Sequence, residues 1–197
     1  MLDQRIIDTL TGLLGQARAQ GDPEPMAMTL ATADADGRVS ARVVLLKGVD
    51  ERGLRFFTNY HSHKAAQLAA NPRAALCLHW KTLGAGGTQV RAEGVVETLP
   101  AAESDAYFAS RARGSQIGAW ASLQSQVLDD QAAFDARIAR YEAEFADQPV
   151  PRPPHWGGYL LRPDRVEFWH GAEHRLHRRE CWSCGAGGTW TSQHLYP

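Results

Sequence analysis

The chain has 197 residues, 44% hydrophobic and 22% charged, which is enough for one domain with its own core and too apolar for global disorder. A formal net charge of -1 excludes a general nucleic-acid binder, so basic clusters must serve local anionic sites. No stretch is long and apolar enough for a membrane helix, and three cysteines, Cys77, Cys181 and Cys184, cannot all pair within one chain, so a cytoplasmic setting is expected.

Residues 1–21 place Ile6, Ile7, Leu10, Leu13, Leu14 and Ala17 at helical spacing, while Asp3, Arg5 and Asp8 interrupt any signal-like run. Two β-rich runs, 26–33 and 38–47, flank Asp34-Ala35-Asp36-Gly37 and predict a hairpin. A turn over 48–53 leads to a strand at 54–58, and 62–72 reads as a short helix stopped by Asn71-Pro72. Strands follow at 74–80 and 88–99, separated by the flexible stretch 84–87.

Pro100 opens a helix over 101–113 that Gly114 closes, and a second helix presents Phe134, Ile138, Tyr141 and Phe145 on one face. Residues 149–155 are too proline-rich for helix or central strand and form an extended connection. Short strands then return, with turns expected at Arg162-Pro163-Asp164, at Gly171-Ala172 and over 185–188. The pattern predicts a single α+β domain, 1–197, built round an antiparallel barrel with flanking helices.

Four groups of residues carry chemistry. Arg175, His177 and Arg179 fall at alternate positions of an expected strand and share one face, where guanidinium forks suit an anion; the plain alternative is a solvated edge strand. Arg42 and Lys47 lie an odd number of residues apart, so a regular strand would point them to opposite faces and two anions, unless they only keep the ends of a buried strand in water. Tyr107, Arg111 and Ser115, at i, i+4 and i+8, form a helical stripe suited to phosphate or simply to solvent. Ser62, His63 and Lys64 open a helix whose unpaired amides favour an anion, although Ser62 alone would make an ordinary N-cap.

Cys181 and Cys184 form one C-x-x-C with no second pair and would face opposite sides of a strand, so no metal is assigned; Cys77 reads as a core residue. Glycine-rich phosphate loops, H-E-x-x-H and G-x-S-x-G are all missing. Separate phosphate-holding clusters and an aromatic platform such as Trp169 suit a phosphorylated aromatic cofactor together with a phosphorylated substrate.

The segments RVVLLK, FFTN, SHK, NPR, QVRAEG, YFASRARGSQIGAW, QS, PPHWGGY, EFW and RLHRR, taken in order, resemble the pyridoxamine/pyridoxine 5'-phosphate oxidase family. The resemblance implies an FMN-binding split β-barrel, antiparallel and Greek-key-like. It also implies a homodimer with flavin at the subunit interface, and oxidation of pyridoxamine or pyridoxine 5'-phosphate to pyridoxal 5'-phosphate by oxygen, yielding peroxide. It assigns Arg42, Val43, Val44, Leu45, Leu46, Lys47, Phe57, Thr58, His63, Lys64, Gln89, Gln124, Ser125, Trp169 and Arg179 to FMN. Lys47, Tyr107, Arg111 and Ser115 would hold the substrate phosphate, with Arg175 and His177 over the pyridine ring as the catalytic pair. His63, Phe57, Thr88 and His194 depart from the family pattern. A phenazine-biosynthesis type of flavoprotein oxidase, or a non-catalytic flavin- or pyridoxal-phosphate-binding module, would share much of this pattern.

Overall fold

In the computed structural model, which describes residues 1–197, five helices surround a curled antiparallel sheet of nine strands. The elements are α1 (Gln4–Ala19), β1 (Ala27–Ala33), β2 (Val39–Leu45), β3 (Gly48–Asp50), β4 (Gly53–Asn59), α2 (His63–Ala70), β5 (Arg73–Trp80) and β6 (Thr88–Thr98). They continue with α3 (Ala101–Ala109), α4 (Arg113–Ala121), α5 (Gln131–Glu144), β7 (Trp156–His170), β8 (Arg178–Cys184) and β9 (Trp190–Leu195). Strand order is β2-β1-β5-β6-β7-β4-β3, with β8 and β9 extending from β7.

The expected stripe of α1 is buried from Ile6 to Ala17 and packs into the main core with Leu30, Phe56, Leu76, Leu78, Val90 and Phe168. Each fully buried side chain of this kind contributes about 1.5–3 kcal/mol, which ties the helix to the sheet. A smaller cluster of Phe108, Ile117, Ala119, Phe145, Val150 and Trp156 joins the α3–α5 layer to the start of β7.

Strand β7 sets the shape of the molecule. Along one edge it pairs with the whole of β6, through Tyr159 to His170; along the other it pairs first with β4, through Trp156 to Leu161, and then with β8, through Arg165 to His170. The turn expected at Arg162-Pro163-Asp164 is therefore interior to a strand. Pro163 has no N–H to give, and the ladder accommodates it with a register shift between Glu93 and Gly94. A Cβ on Gly94 would lie 2.1 Å from the Arg162 carbonyl oxygen, so the bulge requires glycine there.

Other expectations change in instructive ways. The first part of the 48–53 turn is the short strand β3. The helix expected over 101–113 is two helices, broken between Ala109 and Arg113, and Gly114 lies inside the second of them. Ser62 occupies the N-cap of α2, but its hydroxyl donates to the Asn59 carbonyl and caps no amide. Cys77 is half-buried on the face of β5 opposite Leu76 and Leu78, outside the main core.

The strand expected from Arg175 to Arg179 begins only at Arg178. Glu173–Arg175 form a 3-10 turn in which His174 and Arg175 take left-handed backbone angles, φ 54° and 62°. Local bonds turn the chain here: the Leu176 amide donates to the Glu173 carbonyl, and the Ala172 amide to His177 Nδ1. The alternating row of Arg175, His177 and Arg179 does not exist, and only Arg179 stands on a strand.

Candidate functional site

A cavity of about 600 Å³ opens where β2, β4, α2 and the α3–α4 junction meet. Its lining is Arg42, Val43, Val44, Leu45, Lys47, Phe57, Thr58, Asn59, Lys64, Tyr107, Arg111, Ser115, Gln124 and Trp156. Four cations and no carboxylate therefore face one space, a composition that favours anions. Arg42 and Lys47 point to opposite faces as expected, for burial alternates without a break from Val39 through the fully buried Leu46 to Lys47, yet both line one cavity because it wraps the edge strand β2 and takes Val43, Val44 and Leu45 in succession.

Lys64 is buried at the first turn of α2, and only neutral groups meet its ammonium. Nζ donates to Gln124 Oε1 at 2.8 Å, to Thr58 Oγ1 at 3.1 Å and to Ser62 Oγ at 3.2 Å. Burial, aided by repulsion from Arg42, pushes its pKa down to about 8. Arg42 donates to the Leu30 carbonyl, to Thr32 Oγ1 at 2.7 Å and to Gln67 Oε1 at 3.3 Å, and burial lowers its pKa as well.

The far wall is aromatic. Phe57 stacks on Tyr107 with ring centres 4.0 Å apart, and Trp156 lies 5.6 Å from Phe57. Cations flank this layer: Lys47 Nζ is 5.9 Å from the Tyr107 ring centre, and the Arg111 guanidinium is 4.6 Å from that of Trp156. Arg111 Nη1 is buried with no hydrogen-bond partner, and burial pulls its pKa down. A buried donor without an acceptor costs about 1–3 kcal/mol. The break between α3 and α4 puts Tyr107, Arg111 and Ser115 on this wall although they share no continuous helix.

The remaining sequence-selected residues lie elsewhere. His63 is exposed, and its amide donates to Ser125 Oγ at 3.2 Å, beside the cavity but outside its lining. Gln89, Trp169 and Arg179 pair in register across β6, β7 and β8. Trp169 packs against His177 at 4.6 Å between ring centres, and Arg175 stands exposed on the connecting turn. Arg179 and Arg91 both bind the buried Glu167, at 2.8 and 2.6 Å. Burial raises the Glu167 pKa, but the bonds from Arg179 and Arg91 outweigh it and leave the pKa lowered.

This second group shares a sheet face with the cavity. Val43, Thr29, Cys77, Arg91, Glu167 and Cys181 form one cross-strand row, and Gln89, Trp169 and Arg179 stand two residues further along the same strands. Trp169 is thus four strand spacings from Val43, roughly 19 Å along the sheet, and it is not among the residues that line its own chain's cavity.

Sequence reasoning missed Asn59 and Trp156 in the lining, and Thr32 and Gln67 behind Arg42. Trp156 sits in the quoted PPHWGGY segment, but its place against Arg111 depends on tertiary packing. No helix of the protein is long and apolar enough to cross a membrane, and no three His, Cys, Asp or Glu side chains gather as a metal site would require.

Two family models cover most of the chain: pyridoxamine 5'-phosphate oxidase over residues 16–145, and the pyridoxine 5'-phosphate oxidase C-terminal dimerisation region over 156–197. The chain belongs to the pyridoxamine 5'-phosphate oxidase family. Among its family relatives, the pyridoxine/pyridoxamine 5'-phosphate oxidase of Myxococcus xanthus strain DK1622 is 55% identical over 174 residues, covering 88% of this chain and 82% of that one. That of Xanthomonas euvesicatoria is 50% identical over 189 residues, covering 96% and 95%. Among solved structures, PhzG from Burkholderia lata, in complex with tetrahydrophenazine-1-carboxylic acid, superposes with a TM-score of 0.90 at 34% identity over 97% of this chain and 92% of that one. A pyridoxamine 5'-phosphate oxidase-related, FMN-binding protein from Nostoc punctiforme, 19% identical with a TM-score of 0.76 over 96% of each chain, shares the split-barrel fold.

Proposed function

We propose that the chain is an FMN-dependent oxidase that converts pyridoxamine or pyridoxine 5'-phosphate to pyridoxal 5'-phosphate, with oxygen as acceptor and peroxide as product. The observation that carries this reading is the cavity itself, with four cations and no carboxylate in its lining. These residues fit a flavin phosphate and a substrate phosphate. Arg42 and Lys64 would hold the flavin, with Thr58 and Gln124 beside it; Lys47, Tyr107, Arg111 and Ser115 would hold the substrate phosphate. When bound, FMN supplies the two-electron acceptor that no side chain of this protein can provide. The protein's own part is alignment: the phosphate clamp and the aromatic wall of Phe57, Tyr107 and Trp156 fix the substrate and keep water from its ring.

Gln89, Trp169, Arg175, His177 and Arg179 would complete the site of a second copy. The match to a dimerisation region over 156–197 and the exposed apolar residues Val39, Val43 and Leu45 on β2 support a homodimer packed through this sheet face. Within it, Arg175 and His177 would reach across to the pyridine ring of the partner's substrate. Mixing Arg111→Ala protein with Arg175→Ala protein tests the arrangement, because a random heterodimer regains one intact site. At substrate well below the raised KM of the Arg111 variant, roughly a quarter of wild-type activity should return on statistical mixing, whereas no recovery would place both groups in one chain's site.

The likeness to PhzG supports a second reading, oxidation of an aromatic carboxylic acid. Four donors, from Lys47, Tyr107, Arg111 and Ser115, suit the three oxygens of a phosphate better than the two of a carboxylate, and this favours the first reading. An anaerobic mix of flavin-loaded protein with pyridoxamine 5'-phosphate separates the two. Bleaching of the visible flavin band that reverses on admitting air is expected, and bleaching only with tetrahydrophenazine-1-carboxylic acid would overturn the first reading.

A further inference from the structure

Gln67, on α2 and only 3% exposed, does not line the cavity, yet its side-chain amide is fully engaged beside it. Nε2 donates to Ser40 Oγ at 3.2 Å and to the Arg38 carbonyl at 3.3 Å. A carbonyl can only accept, so the amide cannot turn round, and Oε1 must face Thr32 and Arg42. Five partly buried arginines elsewhere meet carboxylates: Arg52 and Arg55 meet Asp50 and Glu103, Arg91 and Arg179 meet Glu167, and Arg152 meets Asp105. Arg42 instead meets an amide, a hydroxyl and a backbone carbonyl, all neutral.

We propose that Gln67 is a positioning residue that anchors Arg42 through a neutral acceptor, so that the guanidinium keeps its whole charge for the phosphate of the flavin. The inference rests on the FMN reading above and extends it to a residue that touches no ligand. A glutamate has the same shape and reach, but it would close an ion pair on Arg42 and place a negative charge behind the phosphate subsite. Gln67 thereby sets the preference for a phosphorylated flavin over a neutral one.

The test measures binding of FMN and of riboflavin, which lacks the phosphate, to flavin-free protein by quenching of flavin fluorescence. Gln67→Glu should weaken FMN about tenfold to a hundredfold and change riboflavin by less than about threefold, because an added unit charge acts mainly on the charged ligand. Gln67→Met, which stays neutral, should weaken FMN less than Gln67→Glu. Thr32→Asp, which brings a carboxylate to the same guanidinium from β1, should repeat the selective loss and serves if Gln67→Glu does not fold. Equal losses for FMN and riboflavin, or unchanged FMN affinity in folded Gln67→Glu, would overturn the inference. Wild-type protein that binds neither flavin would bring down the FMN reading itself, and with it this inference.

Discussion

Replacing Arg111 by Met should separate substrate affinity from stability. Arg111 lines the cavity and its guanidinium lies half-buried over the Trp156 ring, so a hydrogen bond from it to a substrate phosphate would be charge-assisted and partly shielded from water. Such bonds contribute about 1.5–3 kcal/mol, which corresponds to a rise in KM of roughly 10- to 150-fold. The phosphate is remote from the reacting carbon, and a contact made equally in the ground and transition states moves KM while leaving kcat within a few-fold. Stability responds differently. The variant loses cation–π contacts with Trp156 and Phe108, about 0.5–2 kcal/mol, and sheds the cost of an unpaired buried donor, about 1–3 kcal/mol. These effects nearly cancel, so the melting temperature of ligand-free protein should hold or rise slightly. Peroxide formation from pyridoxamine 5'-phosphate and from unphosphorylated pyridoxamine gives the decisive comparison. The KM rise should be confined to the phosphate ester; a fall in kcat alone, or equal effects on both amines, refutes the clamp.

Three further outcomes follow from the same geometry. Lys64 has a folded pKa of about 8 against an ordinary value of 10.5, so between these limits the unfolded chain binds the extra proton and stability of flavin-free protein rises with pH. FMN affinity should fall over the same range as the ammonium is lost; melting curves and flavin titrations from pH 7 to about 10.5 read both trends, and Lys64→Met should flatten them. Gly94→Ala drives a methyl into the Arg162 carbonyl and should lower stability in urea by about 2–3 kcal/mol, with no effect if the bulge relaxes freely. Glu167→Gln leaves Arg91 and Arg179 without their shared carboxylate and should cost about 1–3 kcal/mol at neutral pH, partial exposure of both arginines keeping the loss moderate. Because the Glu167 pKa is lowered on folding, wild type should lose this advantage as pH falls below the carboxylate range, and the two proteins should converge in acid.

Much of this architecture was legible in the residues. Periodicity alone located the buried stripe of α1, the β1–β2 hairpin, and strands β5 and β6 to within a residue or two, because local pattern and tertiary burial agree there. The failures arose where a long-range partner decides. Pro163 reads as a turn until β6 supplies a bulge to receive it, and Arg175 to Arg179 read as a strand until the ladder with β7 ends at the His170–Arg178 pair. Arg42 and Lys47 point to opposite faces yet share a cavity, because that cavity wraps the edge strand β2, a position that only the assembled sheet defines. Thr32 and Gln67 carried no signal, since a buried amide and hydroxyl behind an arginine leave no periodic trace.

The double pairing of β7 has a consequence for how damage would spread. One end of this strand carries Trp156, in the wall of the chain's own cavity, and the other carries Trp169, on the face assigned to the second copy. In a homodimer of the proposed kind each β7 would therefore be a girder common to two reaction chambers, and a single fold-weakening lesion near Pro163 would silence both at once.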